Sequence, residues 1–125
     1  MQKEYKLNSS YYIKEGRKWL NALNDLRAEN IRLKDQLSEA ISREVSLDFV
    51  EQADRFQQRF VEKDQVLDLL RHEINIVLAQ IAGREIVPAD ERQYQLLEKD
   101  MEHLIHEFHQ MKLSFADFLI KRKTG

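Results

Sequence analysis

The sequence contains no cysteine, and only three glycines and one proline occur among its 125 residues. Without cysteine the chain can form no disulfide, no thiol nucleophile and no zinc–thiolate site. Scarce glycine and proline argue against a turn-rich β fold, and abundant Leu, Glu, Lys, Arg and Gln favour long helices. We expect residues 1–125 to form one helical domain, because a chain of this length usually does.

The sequence also lacks long apolar runs and a strong net charge. No run approaches the roughly 18 residues that span a bilayer, and no apolar leader follows Met1. Basic and acidic residues number 20 and 22, for a net charge of −2, so nothing directs the whole chain towards nucleic acid or anionic lipid. The basic end at residues 121–123 could touch phosphate, but we interpret it as a complement to the helix dipole. We expect a cytoplasmic protein that binds neither membranes nor nucleic acid.

The last third of the chain carries the clearest repeat. Apolar residues alternate spacings of three and four, which is the heptad pattern of a helix with one buried seam. The seam consists of Tyr94, Leu97, Met101, Leu104, Phe108, Met111, Phe115 and Phe118. Pro88 suits the first turn of a helix, where its missing N–H is no loss. The pattern predicts a helix over 88–122.

A second seam occupies the middle of the chain and predicts a helix over 47–82. It consists of Phe49, Ala53, Phe56, Phe60, Lys63, Leu67, Leu70, Ile74, Val77 and Ile81. Ser46 is placed to cap the start of this helix, with Val45 and Val50 as a hydrophobic staple. Gly83 is placed to end it.

A third seam precedes these and predicts a helix over 9–44. It consists of Trp19, Leu23, Leu26, Asn30, Leu33, Leu37 and Ala40. The boundary at 42–46 contains neither glycine nor proline, so one continuous helix through it stays possible at this stage.

The three seams predict an all-α fold: three long antiparallel helices, up-down-up, in a coiled-coil-like bundle. The short linker 83–87 favours antiparallel neighbours. This threading places all six phenylalanines at one end of the bundle. It predicts that Phe56 packs against Phe115, and Leu67 against Leu104.

Two polar residues, Asn30 and Lys63, interrupt the seams. The leucines around Asn30, from Leu23 to Leu37, resemble a leucine-zipper segment, in which one asparagine fixes a parallel pair of chains. The alternative is a polar layer inside the bundle, where Asn30 and Lys63 meet near mid-length. We favour the internal layer.

Three histidines, His103, His106 and His109, form a ridge on the predicted last helix. Histidines three residues apart can share a metal ion on one helix face. The register places all three on the outer face, so we interpret them as a solvated ridge and expect neither a metal nor another cofactor. A metal-binding protein that uses this ridge is the alternative function.

A surplus of apolar residues lies outside the seams. The set most suited to an interface is Val66, Leu69, Ile76, Leu113 and Ile120. These residues could widen the core within one chain or cover a partner, and we favour an interface between two copies in a homodimer. The sequence has no glycine-rich phosphate loop and no catalytic triad order. It therefore suggests a non-enzymatic helical interaction module (a scaffold, adaptor or regulatory subunit) with no small-molecule substrate.

Overall fold

The computed structural model describes residues 9–44 and 46–124, with side chains up to residue 121. Three helices make up nearly all of this length: α1 (Ser9–Arg43), α2 (Leu47–Ile81) and α3 (Pro88–Thr124). No strand occurs in these ranges, so the all-α bundle is confirmed. The helix ends differ from the predicted 9–44, 47–82 and 88–122 by no more than two residues, which is the usual uncertainty at frayed helix ends.

α1 and α2 are separate helices because a cap interrupts the chain between them. Ser46 has an extended backbone, with φ −69° and ψ 143°. Its hydroxyl accepts a hydrogen bond from the backbone N–H of Phe49 at 3.3 Å, which satisfies one of the open donors at the start of α2. The predicted cap at Ser46 is confirmed. The predicted staple includes Val45, which lies outside the described residues.

The turn between α2 and α3 depends on Gly83, whose φ of 73° is left-handed. Glycine adopts this conformation without steric cost, and it ends α2 as the sequence predicts. The backbone N–H of Arg84 then donates to the carbonyl of Ile81 at 3.3 Å. Pro88 is the first residue of α3.

The contacts between neighbouring helices run in opposite residue order. As residue numbers rise along one helix, the numbers of the residues that they contact on the next helix fall. Between α1 and α2, Arg27 bonds Asp68, and Lys34 bonds Asp64. This is the order that antiparallel neighbours give. Between α2 and α3, the ring centroids of Phe56 and Phe115 are 5.3 Å apart, so their predicted contact is confirmed.

The core consists of two hydrophobic clusters, one at each end of the bundle. The aromatic cluster holds Phe49, Phe60, Phe108, Phe115 and Phe118, with Phe56 packed against it. The aliphatic cluster includes both Leu67 and Leu104. The six phenylalanines therefore share one end, as the threading predicts.

α1 and α2 approach each other closely at the opposite end because Gly16 has no side chain. A Cβ atom added to Gly16 would lie 2.6 Å from Cδ2 of Leu78, which is well inside van der Waals contact. Beside this contact the rings of Trp19 and Tyr94 pack 4.8 Å apart between centroids. Glycine lowers the stability of a helix interior. At position 16 the close packing against Leu78 explains why a glycine is present inside α1.

Candidate interaction surfaces

All five residues of the predicted interface are exposed. Their exposed fractions are 38% for Val66, 56% for Leu69, 40% for Ile76, 54% for Leu113 and 61% for Ile120. The inward face of α2 is already filled by buried Leu67, Leu70, Ile74 and Val77. These five side chains therefore lie outside the buried core of the described chain.

The five residues form two patches rather than one. We define the α2 patch as Val66, Leu69 and Ile76, and the α3 patch as Leu113 and Ile120. Because Phe56 lies against Phe115, Leu113 is near the level of Phe56. Ile76 is twenty residues farther along α2, about 30 Å away along the axis at the helical rise of ~1.5 Å per residue. The α2 patch therefore lies towards one end of the bundle and the α3 patch towards the other.

Seven other large apolar side chains are exposed. They are Ile31, Ile41, Leu47, Val61, Val87, Leu96 and Ile105. Apolar residues exposed singly are normal on a folded protein.

The histidine ridge is exposed, as the heptad register predicts. The side chain of His103 is 73% exposed, and its Nε2 lies 3.4 Å from a carboxylate oxygen of Glu107. The other Glu107 oxygen accepts from Nζ of Lys63 at 3.3 Å, and this bond lowers the pKa of Glu107. Among the described residues, no three histidine, aspartate or glutamate side chains are placed to hold a metal ion. No observation therefore favours the metal-binding alternative.

Replacing His103, His106 and His109 together with glutamine should leave stability nearly unchanged. Exposed substitutions away from caps and cores usually alter the free energy of unfolding by less than about 0.5 kcal/mol each. Thermal unfolding of the triple variant beside wild type measures this. A fall of several kcal/mol, or a stoichiometric metal in wild-type protein purified without a tag, would contradict a solvated ridge.

Asn30 forms a buried polar layer within the chain. It is fully buried, and its Nδ2 donates to the carbonyl of Phe60 at 2.9 Å and to Asp64 at 2.7 Å. Asp64 also binds Lys34. Lys63 pairs instead with Glu107 of α3, so Asn30 and Lys63 share no partner. A buried Asn30 with partners inside its own chain supports the internal layer over a zipper between chains.

A salt bridge closes the corner between α2 and α3. The guanidinium of Arg84 binds both carboxylate oxygens of Asp90, at 2.7 and 2.9 Å, and donates from Nε to the carbonyl of Gln80 at 2.7 Å. Asp90 also accepts from the backbone N–H of Val87 at 2.9 Å, which caps α3. The bonds from Arg84 and Val87 lower the pKa of Asp90. This salt bridge is not predicted from the sequence, although an aspartate in the third position of α3 is a recognisable capping signal.

Removing the Asp90 carboxylate should destabilise the bundle in a way that depends on pH. We expect Asp90→Ala to cost about 1 kcal/mol at neutral pH, which is typical of a lost helix cap. Because folding lowers the pKa of Asp90, its contribution is complete above the ordinary value of 3.8. It is lost as the pH falls through the lowered pKa.

Urea unfolding of wild type, Asp90→Ala and Asp90→Asn at several pH values measures this contribution. Asp90→Asn is the matched control, because its amide oxygen can still accept from Val87. A difference between wild type and Asp90→Ala that stays constant down to low pH would contradict the carboxylate's role.

The end of the bundle near Gly16 holds a small apolar cavity of about 10 Å³. Trp19, Leu78 and Tyr94 line it. Burial is the main cause that raises the pKa of the Tyr94 hydroxyl. The cavity has room for about one water molecule, whereas ligand pockets usually measure hundreds of Å³. This cavity is too small to bind a substrate of ordinary size.

Two further observations concern nucleic acid and membranes as partners. Lys121 pairs with Asp117 at 3.0 Å within its own helix, whereas the side chains of Arg122 and Lys123 lie outside the described residues. None of the helices in the described ranges is long and apolar enough to cross a membrane.

We compared the chain with known families, curated proteins and solved structures. No family model, no curated protein and no solved structure matches this chain. The functional proposal therefore depends on the chain's own surfaces.

Proposed function

We propose that this protein is a non-enzymatic helical interaction module (a scaffold, adaptor or regulatory subunit) that works in the cytoplasm and self-associates as a homodimer. One observation carries the proposal. Large apolar side chains of the α2 and α3 patches are exposed on helices whose inward faces already complete a core. The absence of cysteine from the sequence agrees with a reducing compartment.

Physical chemistry supports self-association through such helices. Covering apolar surface contributes roughly 25 cal/mol per Å², before the cost of association is subtracted. α2 is 35 residues long, about 50 Å at the usual rise. A regular helix is already ordered before it binds, so little conformational entropy is lost when a second helix packs against it.

Sedimentation equilibrium of the wild-type chain tests the proposal. From low to high micromolar concentration, we expect the average mass to rise from the 15.0 kDa of one chain towards twice that value. A mass that stays at one chain up to high micromolar concentration would contradict self-association.

A further inference from the structure

A polar cleft of about 430 Å³ lies between α2 and α3, near the middle of both helices. Its α2 wall carries Arg59 and Lys63, one helical turn apart, and its α3 wall carries His103 and His106. The side chain of Lys63 is only 17% exposed, and Arg59 is half-buried. Two partly buried cations therefore line a cleft whose volume is that of a small-molecule site.

The guanidinium of Arg59 is held in place without a carboxylate partner. Its Cζ lies 5.2 Å from the ring centroid of Phe56, and this cation–π contact orients the planar group. In the part of the chain that the structure describes, no hydrogen bond or ion pair engages Arg59. A ring against the face of a guanidinium leaves the N–H donors at its edge available to bind a ligand.

Two carboxylates also line the cleft, and the first of them, Glu107, is already engaged. One of its oxygens accepts from Nζ of Lys63 at 3.3 Å, and the other lies 3.4 Å from Nε2 of His103. The bond from Lys63 lowers the pKa of Glu107. This carboxylate therefore serves the link between α2 and α3, and Lys63 keeps further N–H donors for the cleft.

The second carboxylate, Glu62, opposes an anion in the cleft. It is exposed, and no hydrogen bond or ion pair engages it within the described ranges. Because successive residues of a helix turn by about 100°, the Glu62 side chain points away from the direction of Lys63. Its exposure places it on the outer side of the cleft. We therefore expect Glu62 to weaken anion binding through its charge without blocking the cleft.

We infer that this cleft binds a phosphate group, carried by a small molecule or by a phosphorylated side chain. The planar fork of Arg59 matches two oxygens of a phosphate. Lys63, His106 and Gln110 provide further donors from both walls. A tetrahedral phosphate presents oxygens to both walls at once, whereas the two oxygens of a carboxylate lie in one plane. The inference goes beyond the proposed function and does not depend on self-association, because no residue of the α2 patch lines the cleft.

Titration of the isotope-labelled wild-type chain with inorganic phosphate, followed by chemical shifts, tests the inference. Sodium chloride holds the ionic strength constant, because exposed charges respond to salt alone. We expect saturable changes confined to residues 59–63 and 103–110. Changes that do not saturate, or that sodium chloride alone reproduces, would overturn the inference.

Three variants locate the bound phosphate. Arg59→Gln should raise the Kd for inorganic phosphate by about tenfold or more, because hydrogen bonds to charged groups are strong. Glu62→Gln removes the opposing charge and should lower that Kd by about two- to fivefold. Arg17→Gln makes the same change of charge at an exposed position of α1 and should alter the Kd by less than about twofold.

Circular dichroism shows whether each variant keeps the helicity of the wild type. Equal effects of Arg59→Gln and Arg17→Gln would overturn the inference, because they would reduce the binding to long-range attraction. A folded Arg59→Gln variant that binds phosphate as the wild type does would also overturn it.

A second titration separates the two sources of phosphate. The probe is a blocked tripeptide with phosphoserine between two glycines, and the same tripeptide with serine is its control. Tighter binding of the phosphoserine tripeptide than of inorganic phosphate would assign the cleft to a phosphorylated partner. Weaker or equal binding would assign it to small phosphate compounds. If the serine tripeptide binds as tightly as the phosphoserine tripeptide, phosphate is not the group that the cleft recognises.

Discussion

Replacing Phe115 with alanine is expected to lower the free energy of unfolding by about 3–5 kcal/mol, as for other fully buried phenylalanines. Phe115 is 1% exposed, and its ring lies 5.1 Å from that of Phe60 and 5.3 Å from that of Phe56. Removing it leaves a cavity among rings from two helices that cannot close without moving one of them. Denaturant unfolding monitored by circular dichroism measures the loss.

Leu113→Ala is the matched control for Phe115→Ala. Leu113 lies two residues earlier on α3 and is 54% exposed, so its truncation should cost less than about 1 kcal/mol. Similar losses for the two variants would mean that the aromatic cluster does not hold α2 against α3.

The second large effect concerns association rather than folding. Leu69→Glu combined with Ile76→Glu should raise the dimer dissociation constant by at least about 100-fold, because it buries unpaired carboxylates at the centre of the contact. Helicity should be retained, because both positions are exposed in the single chain. Sedimentation equilibrium measures the association, and circular dichroism the helicity.

Leu113→Glu combined with Ile120→Glu is the control for this pair. It adds the same charge to the α3 patch, which a dimer through the α2 patch leaves uncovered, so affinity should change little. If the control variant dissociates the dimer and the α2 variant does not, the interface lies on α3. Unfolding of the α2 variant would mean that Leu69 and Ile76 are core residues after all.

Local and periodic features of the fold could be predicted from the sequence. The heptad spacing predicts three helices, and the caps at Ser46 and Gly83 are confirmed because each depends on a few neighbouring residues. The contact between Phe56 and Phe115 is also confirmed, because the short turn between α2 and α3 leaves little freedom in their relative level.

Features that depend on how each helix is rotated could not be predicted. The heptad register allows Asn30 and Lys63 to meet, but Asn30 bonds Asp64 and Lys63 bonds Glu107 on α3. A rotation of one helix by a fraction of a turn decides which neighbour a side chain at the edge of a seam faces. Heptad spacing does not determine that rotation.

The candidate surface was predicted in part. The sequence identifies five surplus apolar residues, and all five are exposed. Their division into an α2 patch and an α3 patch requires the relative levels of the two helices. The bond between Arg84 and Asp90 likewise depends on the path of the turn.

The most direct test of self-association through α2 is the concentration dependence of amide chemical shifts in the isotope-labelled wild-type chain. On going from low to high micromolar concentration, we expect chemical-shift changes confined to the outer face of α2, centred on Leu69, His72 and Ile76. Leu113 and Ile120 should stay unchanged. Spectra that do not depend on concentration, or shifts confined to α3, would contradict self-association through α2.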